Sequence, residues 1–389
     1  MIYVDANATY PVTPRHYMDV AALLQQVDGN PSSIHAPGRN AKVALEHARG
    51  SLAQLLGARS LEVVFTSGAT EANNLALQGL IGRAALSQAE RPPRLMVTAA
   101  EHSSVMDTAQ TLQGRGLCRL EIAPVLASGE VDGEALLALI GPDTAGVAMM
   151  HANNETGAVS DVRGLTQRIK AINPAIHVHV DAVQMLGKAD LTWYGTSGID
   201  SAAFSAHKIG AYKGIGALFL KAGAKLLPLS IGGGQERGRR PGTENMPGIV
   251  SFGLRCQEIQ GRHGEVCASM RLLRDAWRLA VEAVPGAVVH APSVFTDDHS
   301  LPNTVNFHIE GVSGDDLLLN FDLAGVHASS GSACSSSVAR PSHVLLAMGY
   351  SDWVALNSVR VSFGPDGTVA DVARMAEVLR EVVARVRRG

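Results

Sequence analysis

The 389-residue chain sets 33 lysines and arginines against 36 aspartates and glutamates, a net charge of −3 with histidines neutral and a pI near 6.5. That balance gives no electrostatic basis for binding nucleic acid or an anionic membrane surface. With 46% hydrophobic and 18% charged residues the composition is globular, and 40 glycines beside only 4% aromatics point to an α/β protein rich in tight turns.

A chain of this length is expected to form two domains. The opening stretch MIYVDANATYPV has no basic region followed by an apolar one, so it does not read as a signal peptide. No run of 18 apolar residues exists, which excludes a membrane-spanning helix. The expectation is a soluble, cytoplasmic protein.

From about residue 60, short apolar runs alternate with helical stretches. EVVFT (62–66), RLMVTA (94–99), GVAMMH (146–151), HVHVDA (177–182) and SAAFSA (201–206) read as buried strands, with helices such as 161–172 between some of them. GIGALFL (214–220) follows its predecessor closely enough to return antiparallel. Alternation of this kind predicts a largely parallel sheet covered by helices. Near residue 260 the pattern changes. A helical segment at 268–284 leads to strands at 302–310 and 358–364 and to a closing helix from about Thr368 to Arg387, a smaller α+β unit. The first dozen residues are extended and could pack on either unit.

Ligands of open α/β sheets bind outside the carboxyl ends of the strands, so the residues that follow each predicted strand matter most. They are Thr66-Ser67-Gly68-Ala69-Thr70, Glu101-His102, His151-Ala152-Asn153-Asn154-Glu155, Asp181 with Gln184 beyond it, and Ser205-Ala206-His207-Lys208. Singly, each has an ordinary explanation: a helix cap for the turn, solvation for the lysine, an N-cap for the carboxylate. Together they describe one polar crevice. The chain lacks both GxGxxG and GxxxxGK[ST], so neither a dinucleotide fold nor a nucleotide triphosphatase is signalled. A hydroxyl-rich turn opening a helix suits a phosphate, and a desolvated strand-end lysine condenses with aldehydes. A buried aspartate can hold a ring nitrogen protonated. These are the parts that a pyridoxal phosphate site requires.

Four cysteines, Cys118, Cys256, Cys267 and Cys334, show no metal-like spacing and read as free thiols. The first three lie in helical or strand-like contexts. Cys334 lies in SSGSACSSS, a poor core segment and a good mobile loop.

In DANAT (5–9), GNPSSIH (29–35), FTSGATEANN (65–74), EH (101–102), HANNETG (151–157), HVDAVQMLGK (179–188), SAHKIGAYKGIGALF (205–219), GGGQERGRRPGT (232–243), SSGSACSSS (329–337) and RVSFG (360–364), the chain resembles the cysteine desulfurases. These belong to the class V aminotransferase group of fold-type I pyridoxal phosphate enzymes, and the likeness is to the branch that supplies sulphur for iron–sulphur clusters. The stretches run in the family's order over essentially the whole chain. The resemblance implies a mainly parallel seven-stranded sheet in a large domain (14–261). A small α+β domain (1–13 and 262–389) would carry a mobile cysteine loop at about 327–340.

It further implies that Lys208 carries pyridoxal 5'-phosphate, Asp181 pairs with its pyridine nitrogen and Gln184 bonds its phenolic oxygen. His102 would stack on the ring and move protons, and Asn154 would lie near the ring oxygen and the substrate carboxylate. Ala69, Thr70, Ser205 and His207 would hold the phosphate, with Thr243 reaching in from the second subunit of a homodimer. Arg360 would clamp the carboxylate of L-cysteine. The product would be L-alanine, with a persulfide left on Cys334 for an acceptor protein or small thiol. The alternatives are a selenocysteine lyase or another C–S lyase of the same fold and, from a different class, a non-catalytic assembly protein. Two departures, Ala206 for a usual glycine and Tyr10 for a common threonine, touch no chemical role. The chain ends with its closing helix, without the extension by which housekeeping relatives dock a cluster scaffold, so the sequence does not name the acceptor.

Overall fold

The computed structural model describes residues 1–86, 91–290, 295, 299–330 and 340–387. The chain opens on a two-residue strand, β1 (Ile2–Tyr3). It then builds a seven-stranded sheet from β2 (Val63–Thr66), β3 (Arg94–Thr98), β4 (Arg119–Ala123), β5 (Thr144–Met150), β6 (His177–Asp181), β7 (Ser201–Ser205) and β8 (Gly216–Leu220). The spatial order is β2-β8-β7-β6-β5-β3-β4, and only β8 runs against the rest. The predicted strands and the antiparallel return are therefore present, each within two residues of its expected ends. The edge strand β4 was not foreseen. Its burial is only partial, so RLEIA lacks the continuous apolar signature of its neighbours.

Both faces of this sheet are covered, which is why successive residues of one strand serve different cores. Val63 and Phe65 pack under the helices Ala36–Leu55 and Met246–Ile259, while Val64 faces the helices Ala69–Ala85 and Ser103–Gly114. The first two of those helices cross very closely. A Cβ at Gly253 would lie 2.5 Å from that of Ala48, so only glycine fits the crossing.

Beyond the helix His263–Glu282, β9 (Ala287–Val289), β10 (Thr304–Ile309), β11 (Val326–His327), β12 (Ser329–Ser330) and β13 (Val359–Ser362) follow. Four of them form an antiparallel sheet in the order β12-β13-β10-β9, over a second core of Trp277, Phe307, Phe321, Phe363 and Leu379. The helix predicted as a connector begins five residues earlier than expected and contributes Leu273 and Trp277 to this core. The closing helix, Val369–Val386, is capped reciprocally by Thr368 and Asp371.

The first dozen residues run beside the second sheet, in a two-stranded ribbon with β11, and then cross to the first. β1 pairs in parallel with β11, Asp5 bridges Ser362, and Val4 enters the second core, whereas Asn7, Ala8 and Thr9 line the cleft described next. Tyr10 donates to the Asp366 carboxylate, with Arg255 over its ring.

Candidate active site

Six strands of the large sheet share one direction, so the carboxyl ends of β2, β3, β5, β6 and β7 open on one edge. A cleft of about 1240 Å³ lies there. It is lined by Ala69, Thr70, His102, Asn154, Asp181, Gln184, Ser205, His207, Lys208 and Arg360, all named from the sequence. Thr243 is exposed and is not among the lining residues. Cys334 lies outside the described residues.

Lys208 sits in a single turn of 3-10 helix just after β7. Its Nζ donates to the carbonyls of Asn7 and Ala8, each at 2.7 Å. Asp181, the last residue of β6, is buried. Its carboxylate accepts from Asn73 Nδ2 at 2.8 Å and from the Val183 N–H at 3.1 Å. His102 caps the helix Ser103–Gly114, its Nδ1 accepting from the Ser104 N–H at 3.0 Å. A ring nitrogen that accepts from a backbone N–H carries no proton, so the proton of the neutral ring is on Nε2.

Gln184 donates through Nε2 to the Asn7 carbonyl at 3.0 Å and accepts at Oε1 from Lys188 Nζ at 2.8 Å. Lys188 also donates to Asn7 Oδ1 at 2.8 Å. Burial, with the charges of Lys208 and Arg360 adding to it, pushes this second lysine down to about 7. His207 bonds Thr9 Oγ1 through Nδ1, and burial lowers it to about 4. Glu101 is fully buried with Thr98 Oγ1 donating to one oxygen at 2.5 Å. Burial, with the charge of Asp181 adding to it, raises it to about 8, which makes it a neutral acid at pH 7.

The opposite wall comes from the smaller sheet. Arg360, in β13, donates from Nη2 to Asp5 Oδ1 at 2.6 Å and from Nη1 to the Asn154 carbonyl at 3.1 Å. Its buried Nε has no partner among the described residues. Beside it Glu155 accepts from Ser342 Oγ at 2.5 Å, and its carboxyl is raised by burial.

The segment 232–243 is anchored to the turn after β2. Glu236 and Arg237 adopt φ of 46° and 59°, a left-handed conformation that costs side-chain-bearing residues energy. A buried fork from Arg49 to Glu236, at 2.7 and 2.8 Å, and a bond from the Phe65 N–H to the same carboxylate hold that conformation. Arg240 reaches Glu71, which in turn accepts from the Ser67 N–H. Breaking the buried fork on one side is expected to cost about 3–5 kcal/mol.

The three described cysteines are buried, and burial raises each thiol, Cys118 to about 11. None is a nucleophile at neutral pH. The sequence separated them correctly from the cleft. It did not find Asn7, Asn73 and Lys188 as individual residues, because no motif chemistry marks an amide or a lysine whose decisive partners lie more than 100 residues away.

The donor set fits pyridoxal phosphate. The helix Ala69–Ala85 starts at the cleft, and its first N–H groups have no intrahelical acceptor. Thr70, Ser205 and His207 stand around the same edge. A Cβ on Gly216 would come within 2.6 Å of the Gly68 backbone, so glycine is what lets β8 begin against this turn. An amine and a buried carboxylate complete the requirements for an aldehyde and a pyridine nitrogen.

Residues 2–375 match the family model of aminotransferase class V. Over 390 residues the chain is 36% identical to the cysteine desulfurase IscS 1 of Archaeoglobus fulgidus, covering all of this chain and 98% of that one. Among solved structures, a NifS-like protein superposes with a TM-score of 0.90 at 32% identity, over 98% of this chain and 99% of that one. The structure of SspA in complex with cysteine gives a TM-score of 0.80 at 29% identity, over 95% of this chain and all of the other.

Proposed function

The chain belongs to the aminotransferase class V family as a cysteine desulfurase, and we propose that it converts L-cysteine to L-alanine with pyridoxal 5'-phosphate in the cleft, leaving a persulfide on Cys334. The observation that carries this is the arrival of Lys208, Asp181, His102, Gln184 and Arg360 in one cleft from separate elements. Bound there, the cofactor supplies an aldehyde that condenses with amines and a protonated ring that withdraws electrons from Cα.

Lys208 is the amine that anchors it and that gives way to the substrate amine. Asp181 keeps the ring nitrogen protonated, Gln184 bonds the phenolic oxygen, and His102 carries protons at Nε2. Ala69, Thr70, Ser205 and His207 hold the phosphate, with Thr243 supplied by the second subunit of a homodimer. Arg360 and Asn154 orient the substrate carboxylate, a planar anion suited to a guanidinium. The Cys334 thiolate attacks the substrate sulphur. The new S–S bond forms as the C–S bond breaks, and protonation of the remaining three-carbon fragment completes alanine.

The units proposed are 14–261, and 1–13 with 262–389, the cleft lying between them. We assign the sulphur to iron–sulphur-cluster biogenesis through a protein or small-thiol acceptor, supported by the likeness to desulfurases of the IscS name. No helix among the described residues is long and apolar enough to cross a membrane, which is compatible with the cytoplasmic location proposed.

The test is cysteine-dependent formation of alanine by wild type and Cys334→Ala, with mass spectrometry for one added sulphur on Cys334. Wild type should form the persulfide, and the variant should bind cysteine yet lose nearly all turnover. Unchanged cysteine turnover in the variant, with no sulphur added to wild type, would overturn the assignment of Cys334.

A further inference from the structure

We propose that Asn73 is a positioning residue that holds Asp181 and His102 in register with each other, its own amide oriented by a hydrogen-bond relay through His179, Ser201 and His177. The inference rests on the roles assigned to Asp181 and His102 above, and it adds a residue to which neither the sequence motifs nor the comparisons give a role.

The Asp181 carboxylate sets the directions. Asn73 Nδ2 lies 2.8 Å from Asp181 Oδ2 and 2.8 Å from Ser104 Oγ. A carboxylate oxygen accepts only, so the amide must present its NH₂ to Asp181 and its oxygen to the other side. On that side His179 Nε2 lies 2.9 Å from Asn73 Oδ1, so it must be the protonated nitrogen of the ring. His179 is fully buried and burial lowers it to about 3, so the ring is neutral and its Nδ1 accepts.

The donor to that Nδ1 is Ser201 Oγ at 2.9 Å. Ser201 has then given its only hydroxyl proton, and it accepts in turn from His177 Nε2 at 2.7 Å. His177 is also buried and neutral, lowered to about 4. On the opposite branch Ser104 Oγ accepts from Asn73 and turns its own proton to His102 Nδ1, 2.8 Å away, whose lone pair it shares with the Ser104 N–H. Asn73 thus gives one N–H to each branch. Asn73 and Ser201 show no exposure and His179 is nearly as deep, so water does not substitute for the links at the centre of the relay.

Buried polar chains in which every donor and acceptor is used hold their members rigidly, because reversing one bond leaves an unpaired group worth about 1–3 kcal/mol. His177, His179, Asp181 and Ser201 lie on neighbouring strands β6 and β7, and Asn73 is on the helix Ala69–Ala85 that begins at the phosphate-binding turn. The relay therefore ties the proposed pyridine-nitrogen partner, the ring-stacking histidine and the phosphate helix into one unit.

The experiment has two arms. In the first, cofactor-free protein labelled with ¹⁵N-histidine is examined by NMR. His179 and His102 should both carry their proton on Nε2 in wild type, and Asn73→Leu should move the His179 proton to Nδ1. This arm does not need pyridoxal phosphate to bind, so it separates failure of the relay from failure of the functional assignment, which borohydride reduction and peptide mapping would show.

In the second arm the absorbance of bound pyridoxal phosphate is titrated with pH, leaving Glu101, the neighbouring acid, in place. Asn73→Leu should move the midpoint upward by about one unit, since Asp181 loses a donor. It should also lower kcat about 10–100-fold with KM nearly unchanged. Ser104→Ala cuts only the His102 branch and should lower kcat without moving the midpoint. Asn73→Ala, a smaller change should Asn73→Leu fail to fold, should shift the His179 tautomer in the same way. A wild-type His179 protonated on Nδ1, or variants with unchanged midpoint and kcat, would overturn the proposal.

Discussion

On the cleft wall supplied by the seven-stranded sheet, Asp181 is gripped by Asn73 and by the Val183 N–H, and Lys208 by two carbonyls. On the wall supplied by the four-stranded sheet, Arg360 spends its strongest bond on Asp5, itself partly exposed, and keeps Nε without a partner among the described residues. The first wall is satisfied internally, and its Asp181 is held from behind by groups outside the cleft chemistry. The second is held by an ion pair to a partly exposed carboxylate, which the proposed substrate carboxylate would replace. A group that stays through every turnover suits the first wall, and a substrate that comes and goes suits the second.

The largest effect that would test this contrast is expected at Lys208. Lys208→Ala should retain the fold by circular dichroism, lose covalent attachment of pyridoxal phosphate, and lower cysteine turnover by on the order of 10³-fold or more. A borohydride-reduced adduct mapped to Lys188 or Lys213 instead would break the assignment of the first wall.

Acid should separate the walls next. His151, His177 and His179 lie on the first wall or behind it, buried and neutral, lowered to about 3, 4 and 3. Their folded values lie below the unfolded value near 6.5, so the unfolded chain binds protons that the native state refuses. The stability they contribute is complete above about pH 6.5 and falls as pH drops toward 4. The slope is about 1.4 kcal/mol per pH unit for each fully differing histidine. Urea unfolding at pH 7 and pH 5 should show a clear drop in midpoint, and an unchanged midpoint would mean that these rings are not held neutral.

The smallest expected effect sharpens the second wall. Arg360→Lys keeps the charge but loses the fork, and should raise KM for cysteine about 10–100-fold with kcat changed little. A fall in kcat at constant KM would place Arg360 with the internally held groups instead.

Much of the fold was legible because a strand buried on both faces is mostly apolar, and β5, β7 and β8 read that way, while β6 alternates histidine with valine. The half-buried β4 was not. At the site, Lys208, Asp181, His102 and the hydroxyl-rich turn were legible because each stands at a strand end, where a parallel sheet presents residues to a ligand.

What the sequence determined by itself was therefore the alternation of elements, the direction of the sheet and the kinds of group gathered along its edge. What only the tertiary structure decided was which partners those groups have. Asn7 meets Lys208 across 201 residues, Asn73 meets Asp181 across 108, and Asp5 meets Arg360 across 355. The physical reason is that local periodicity encodes burial, which each residue carries in its own side chain. A hydrogen bond belongs to two residues, and its geometry exists only after the sheet and the helix beside it have brought them together.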